Sequence, residues 1–239
     1  MRPDTHRSLP GLVAAWLVHA YTASGAVCAF LALAAAIDHD LRRAFAWLIL
    51  QVVIDATDGL LARAVRVSER LPQFSGAHLD DIVDYLTYVF VPAFLVWHEP
   101  LVPSSLALPL AAAVIISSAY GFSRTDAKTS DHYFTGFPSY WNILVFYFVA
   151  LGSSPIVNAA WLALFAVLVF VPIRYLYPSR TVPFMKTTNV IGALWGAGCI
   201  LMLLWMPDVP GWLRLHAFVF PIYYVTLSLV LHWRSRHVS

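Results

Sequence analysis

Residues 54–85 read IDATDGLLARAVRVSERLPQFSGAHLDDIVDY, and this stretch sets carboxylates inside or against apolar sequence. Asp55 and Asp58 share one face of a helix, and Asp80 and Asp84, one turn apart, share one face of the next. A carboxylate at the bilayer centre costs about 2.5–3.5 kcal/mol, so a group of them requires compensation. Two facing helices would bring these carboxylates together.

The surrounding composition is that of a membrane protein. Of 239 residues, 60% are hydrophobic and 12% are charged, with 9 Trp, 11 Tyr and 15 Phe. A net charge of +2 without a basic tract gives no support for nucleic-acid binding. The 2 cysteines, Cys28 and Cys199, lie in apolar runs and indicate neither a disulfide framework nor a thiolate metal site.

Apolar runs without alternation favour membrane-spanning helices, since helices satisfy their own backbone polar groups in lipid. We predict an all-α, polytopic bundle of about eight transmembrane helices, forming one domain over residues 1–239. The first run is too long for a signal peptide and is expected to be retained. The expected spans are roughly 13–37, 44–66, 78–97, 103–121, 137–152, 157–177, 188–206 and 213–232.

The positions of Lys and Arg predict the orientation, because cytoplasmic connections carry an excess of both. Most Lys and Arg residues fall on one side of the predicted spans. That side is therefore predicted to be cytoplasmic and to hold both termini. Its cations are Arg2, Arg7, Arg63, Arg66, Arg70, Arg124, Lys128, Arg174, Arg180, Lys186, Arg234 and Arg236. The opposite side has Arg42, Arg43 and Arg214.

Four converging carboxylates repel one another unless cations lie between them, and hard divalent ions prefer oxygen ligands. Gly59 and Ala62 lie on the face of Asp55 and Asp58, where short side chains leave room for a ligand. The pattern therefore predicts a metal-assisted site for a phosphorylated substrate. Asp81 lies off the shared face and is expected to be a solvated or supporting residue.

The complete pattern resembles the signature of the CDP-alcohol phosphotransferase family. It consists of Asp55, Asp58, Gly59, Ala62, Arg63, Gly76, Asp80 and Asp84 at their spacings. The resemblance implies manganese or magnesium, as two ions, with Asp84 as general base. By the same resemblance, the metal ligands are Asp55, Asp58, Asp80 and Asp84. The CDP-binding residues would be Asp58, Gly59, Ala62, Arg63 and Gly76.

Residues 64–75 form a longer spacer than the common form of the signature. Together with HAYTASGA (19–26), VSERLPQFSGAHLDDIVDYLTYVFVPA (67–93) and DHYFTGFPSYWNILVFYF (131–148), this spacer is similar to the bacterial phosphatidylcholine synthase branch. That branch implies CDP-diacylglycerol and choline as substrates and CMP release. It also implies a bacterial inner membrane location and a homodimer, and the Lys and Arg distribution predicts an active site facing the cytosol.

Choline carries a permanent positive charge, so aromatic faces are its expected partners. An aromatic cluster at Tyr133, Phe134, Tyr140 and Trp141 follows the fourth span. Tyr88, Tyr140, Trp141 and Asn142 are the candidate choline-binding residues, and Arg180 is a candidate phosphate-binding residue. Two alternatives remain open: another acceptor such as serine, inositol or glycerol phosphate, and a cation transporter using intramembrane carboxylates.

Overall fold

In the computed structural model, residues 9–236 are described except 128, 130, 132, 179, 180, 182 and 183, and the side chains at 235 and 236 are not. This part of the chain is mostly helical, with one short pair of strands, so the predicted all-α fold is confirmed. The helices are α1 (Leu9–Ile37), α2 (Leu41–Val65), α3 (Val67–Arg70), α4 (Gly76–Asp84), a π-helix (Tyr85–Phe90), α5 (Val91–His98), α6 (Ser104–Ser123), α7 (Trp141–Leu151), α8 (Pro155–Leu168), α9 (Met185–Trp205), α10 (Gly211–His216) and α11 (Val219–Arg236). The strands are β1 (Tyr133–Thr135) and β2 (Arg174–Leu176).

Within the described part of the chain, 5 helical stretches are long and apolar enough to cross a membrane. They are α1, α2, α6, α9 and the stretch Gly211–Arg234, while α7 and α8 are apolar but shorter. Large apolar side chains such as Phe30, Ile116 and Leu194 are exposed on these helices, which suits contact with lipid. The chain is a multi-pass membrane protein, and the count of about eight spans stays a prediction.

The chain divides into two compact units, the first ending at Thr87 and the second beginning at Tyr88. In the first unit α1 packs along α2 and also contacts α3 and α4. The Gln51 side chain of α2 lies directly against Gly25 of α1, where a Cβ would collide with it. Small residues commonly permit such approach between membrane helices.

The spacer of residues 64–75 is folded onto α1. Arg66 adopts a left-handed conformation (φ 54°) that ends α2, and the short α3 follows it. Val67 and Leu71 are buried in a cluster with Ala15 and Val18 of α1. The spacer therefore forms a short helix held by apolar contacts, and α4 begins directly after it.

In the second unit α6 packs against α5 and α8, and β2 packs against α11. The two strands pair antiparallel, with Phe134 opposite Tyr175. The predicted sixth span, 157–177, is wrong at its end, because α8 stops at Leu168 and residues 174–176 form a strand. Pro172 explains this ending, since proline lacks a backbone donor and disfavours helix in the residue before it.

An ion pair lies at this small sheet. An Arg174 nitrogen donates to Asp131, and the Arg174 guanidinium lies 4.3 Å from the centroid of the Tyr133 ring. The Thr129 hydroxyl donates to Asp131 Oδ1 over 2.7 Å. The Thr129 hydrogen bond, and then Arg174, hold the pKa of the Asp131 carboxyl below its usual value. Arg174, predicted as an orientation-setting cation, thus also links β2 to the connection between α6 and β1.

Candidate metal and nucleotide site

Three aspartates converge in the first unit. Asp55 of α2 and Asp80 and Asp84 of α4 each offer a carboxylate oxygen, and these atoms all lie within 4.8 Å of one another. All three residues are half-buried. A set of oxygen donors this close fits a hard divalent cation, which would offset the repulsion between the carboxylates. The arrangement is compatible with a divalent-metal site.

Local structure explains why α4 presents Asp80 and Asp84 side by side. The Ser75 hydroxyl accepts a hydrogen bond from the His78 backbone N–H at 3.2 Å, so Ser75 caps the helix. Gly76 is then the first helical residue, and Asp80 and Asp84 follow on successive turns. Asp81 is half-buried and does not belong to the three-carboxylate group.

Asp58 is held separately from this group. The Thr22 hydroxyl of α1 donates to Asp58 Oδ2 at 2.8 Å, and both side chains are buried. A neighbouring link joins the Tyr21 hydroxyl to Thr57 Oγ1, also at 2.8 Å. These two hydrogen bonds fix α1 against the part of α2 that carries Asp55 and Asp58.

The predicted CDP-binding residues have different surroundings. A Cβ on Gly59 would come within 3.3 Å of Arg63 Nη1, the flexible end of an exposed side chain. Ala62 packs against the buried cluster shared by α1 and α3. At Gly76 a Cβ would lie 3.0 Å from His19 Cε1, so the imidazole of His19 occupies the space left by this glycine.

The candidate choline-binding residues lie in the second unit. The rings of Tyr88 and Tyr140 are 6.0 Å apart between centroids, and Tyr140 contacts Tyr224 at 6.2 Å. Trp141 is fully buried and donates from Nε1 to Ser118 Oγ at 2.7 Å. Asn142 is buried, and its Oδ1 accepts from the Ile143 backbone N–H at 2.8 Å.

The structure therefore brings Tyr88 and Tyr140 into one aromatic group and holds Trp141 and Asn142 by local hydrogen bonds. The same aromatic surroundings include Tyr175, whose ring stacks on Tyr224 at 6.2 Å. Arg180, the candidate phosphate-binding residue, lies outside the described residues.

Sequence reasoning did not identify His19 and Thr22 near the carboxylates of the first unit, or Tyr224 in the aromatic group of the second. His19 and Thr22 lie in HAYTASGA (19–26), within the first predicted span. Their polarity within an apolar helix was the available signal, because polar residues in membrane helices usually face the bundle interior.

The fold and the carboxylate group define a helical membrane protein with clustered carboxylates that are compatible with a divalent cation. No family model matches the chain. Curated relatives named phosphatidylcholine synthase do match it. The one from Legionella pneumophila is 43% identical over 203 residues, which cover 82% of this chain and 79% of the relative. The one from Pseudomonas aeruginosa is 37% identical over 222 residues, or 92% of each chain. That from Rhizobium johnstonii is 35% identical over 219 residues, covering 92% of this chain and 90% of the relative.

The chain belongs to the phosphatidylcholine synthase family. The predicted resemblance to this branch is confirmed.

Proposed function

We propose that this protein transfers the phosphatidyl group of CDP-diacylglycerol to choline, giving phosphatidylcholine and CMP. The oxygen of the choline hydroxyl bonds to the phosphorus that bears diacylglycerol, and the bond from that phosphorus to the bridging oxygen breaks. CMP leaves with the bridging oxygen, and the hydroxyl proton passes to a carboxylate. The convergence of Asp55, Asp80 and Asp84 in a member of this family carries the proposal.

The donor set suits one or two divalent ions, and we propose manganese or magnesium as the resident metal. When bound, such ions would neutralise the pyrophosphate and stabilise the leaving phosphate. Asp55 and Asp80 act as ligands. The Asp84 carboxylate belongs to the same group, and it is also proposed to act as the general base that accepts the proton of the choline hydroxyl.

Asp58, Gly59, Ala62, Arg63 and Gly76 are proposed to form the CDP-binding side. Asp58 is already oriented by Thr22, which favours a fixed position for a ligand or metal contact. Arg63 is exposed at the end of α2 and offers a cation for phosphate. Ala62 contributes by letting α1 and α3 pack closely, which supports the site from behind.

Choline recognition is proposed to rely on Tyr88 and Tyr140, whose rings form an aromatic pair. Trp141 and Asn142 would support this pair through their buried hydrogen bonds. Arg180 stays a candidate for phosphate or lipid binding. We further propose a bacterial inner membrane location, cytoplasmic termini, a cytosol-facing site and a homodimer.

The test is turnover by purified protein with CDP-diacylglycerol, manganese and radiolabelled choline, with serine, inositol and glycerol 3-phosphate in parallel. Label entering lipid with choline alone, together with CMP release, is expected. Transfer to another acceptor would keep the chemistry and reject choline. Absence of transfer to every acceptor would reject the proposed reaction, and cation transport would be measured next.

Metal removal gives a second readout. Chelation with EDTA should abolish transfer, and added manganese or magnesium should restore it. Full activity in a chelated and dialysed sample would reject a metal-assisted reaction.

A further inference from the structure

His19 occupies a confined position next to the first turn of α4. Its side chain is buried, at 6% exposure. The ring centroid lies 4.4 Å from that of Phe74 and 5.9 Å from that of Trp16. Gly76 faces the ring edge, where a Cβ would lie 3.0 Å from Cε1 and 3.6 Å from Nδ1. Three neighbours therefore fix the orientation of the imidazole.

One nitrogen of this ring is unsatisfied. His19 Nε2 is buried and has no hydrogen-bond partner among the residues that the structure describes. A buried polar atom without a partner costs about 1–3 kcal/mol, so such atoms usually have a role. Packing alone does not require a histidine here, since an apolar aromatic ring would fill the same space at lower cost.

The neighbours of His19 indicate which ligand it would meet. One turn further along α1, Thr22 holds Asp58, and the glycine against the ring opens the helix that carries Asp80 and Asp84. Gly76 is one of the proposed CDP-binding residues, but its empty side-chain position is filled by His19. The imidazole is thus placed where that glycine was expected to meet the nucleotide.

The spacer of residues 64–75 explains how this ring is held. Phe74 belongs to the spacer and contacts both His19 and Trp16, with centroid distances of 4.4 Å and 5.4 Å. Earlier in the spacer, Val67 and Leu71 are anchored on α1. The spacer therefore carries an aromatic side chain back to α1 at the position of the histidine.

We propose that His19 Nε2 forms a hydrogen bond with the cytidine nucleotide of the bound lipid substrate, and that Phe74 is a positioning residue for its ring. This inference rests on the proposed function, because it assigns a further residue to the same nucleotide site. The longer spacer then has a function, because it places Phe74 against His19, which a shorter connection without Phe74 would not do.

The decisive variant is His19→Phe, which keeps an aromatic ring against Phe74 and Trp16 but removes both nitrogens. We expect its affinity for CMP in the presence of manganese to fall about tenfold, the effect of one lost hydrogen bond. The KM for CDP-diacylglycerol should rise by a similar factor. The KM for choline should be unchanged, and the unfolding temperature in detergent should hold or rise, because the variant no longer buries an unpartnered nitrogen.

The matched control is His78→Phe, the same exchange at an exposed histidine of α4. It should bind CMP as the unsubstituted protein does. Unchanged CMP affinity in His19→Phe would overturn the inference. If affinity and unfolding temperature fall together, His19→Gln decides: recovery of CMP affinity supports the hydrogen bond, and no recovery overturns it.

Failure of this inference is distinguishable from failure of the proposed function. A protein that makes phosphatidylcholine and is insensitive to His19→Phe refutes the inference alone. A protein that binds CMP through His19 but transfers nothing to choline refutes the proposed acceptor and keeps the nucleotide contact.

Discussion

Asp84 belongs to the three-carboxylate group and is also the proposed general base. Asp84→Asn keeps the shape and an oxygen donor but removes the proton acceptor. We expect turnover to fall by at least about 100-fold, because general-base catalysis typically contributes a factor of about 10²–10⁴. CMP binding in the presence of manganese should change far less. Initial rates and equilibrium CMP binding on the same preparation separate the two effects.

Asp81→Asn is the matched control, since Asp81 is on the same helix and outside the three-carboxylate group. It should retain most of the activity. Turnover of Asp84→Asn within a few-fold of the unsubstituted protein would remove Asp84 from the role of base.

Thr22 is expected to orient Asp58 through one buried hydrogen bond. Thr22→Val preserves the side-chain shape and leaves Asp58 without this donor. A hydrogen bond to a charged group is worth about 1.5–3 kcal/mol, so kcat/KM for CDP-diacylglycerol should fall about tenfold or more. Steady-state kinetics at several manganese concentrations would measure the loss.

Ser24→Ala provides the comparison, because within the described residues the Ser24 hydroxyl donates only to the Tyr21 carbonyl of the same helix. Equal kinetics for Thr22→Val and Ser24→Ala would show that the hydrogen bond from Thr22 to Asp58 does not contribute to catalysis.

The aspartates were predictable because their spacing alone places them on helix faces. Asp80 and Asp84 recur at one turn, and Asp55 is reached once two helices face each other. His19 and Thr22 could not be assigned in this way. Their roles depend on which residues of α2 and α4 lie opposite α1, and that pairing is not encoded in any local spacing.

Gly25 of α1 lies against Gln51 of α2 and Val83 of α4, so its missing side chain allows these helices to pack closely. A Cβ there would collide with Gln51 and would lie 2.6 Å from Val83 Cγ1. Gly25→Ala should therefore destabilise the protein by about 1–3 kcal/mol, the usual cost of overpacking. Because Gln51 and Val83 belong to the helices that carry Asp55 and Asp84, activity should fall as well.

Gly196→Ala is the control, as a Cβ at Gly196 meets no atom within 4 Å in the described structure. It lies inside α9, where alanine is the better helix former. Unfolding temperatures in detergent should drop for Gly25→Ala and hold or rise for Gly196→Ala. Equal stability of both variants would contradict the close approach at Gly25.

Most helices could be predicted from apolar runs, and their ends were less accurate. The run 157–177 stays apolar past the end of α8, so hydropathy gave no sign of the strand that follows. A strand as short as Arg174–Leu176 depends on its distant partner, Tyr133–Thr135. The sequence of the spacer did not indicate α3 either. A helix this short is not stable by itself, and α3 depends on the packing of Val67 and Leu71 against α1.

The charge distribution and the position of the carboxylates along α2 together predict the orientation of the protein in the membrane. Arg42 and Arg43 lie at the start of this helix, and Arg63 and Arg66 lie at its end. Asp55 and Asp58 lie in its C-terminal half, nearer the end with Arg63. An excess of Lys and Arg marks the cytoplasmic side, so the carboxylate site of the first unit is expected to open toward the cytosol.

Cysteine labelling in intact cells tests this orientation. The native Cys28 and Cys199 are buried, which keeps background labelling low. Asp38 and Ser68 are exposed at opposite ends of α2, so each is a suitable position for a new cysteine. A membrane-impermeant maleimide should label Asp38→Cys in intact cells and Ser68→Cys only after permeabilisation, because the Arg66 end of α2 is predicted to face the cytoplasm. The reverse pattern would place the nucleotide site on the side without cytidine nucleotides, and the proposed reaction would then lack its substrate.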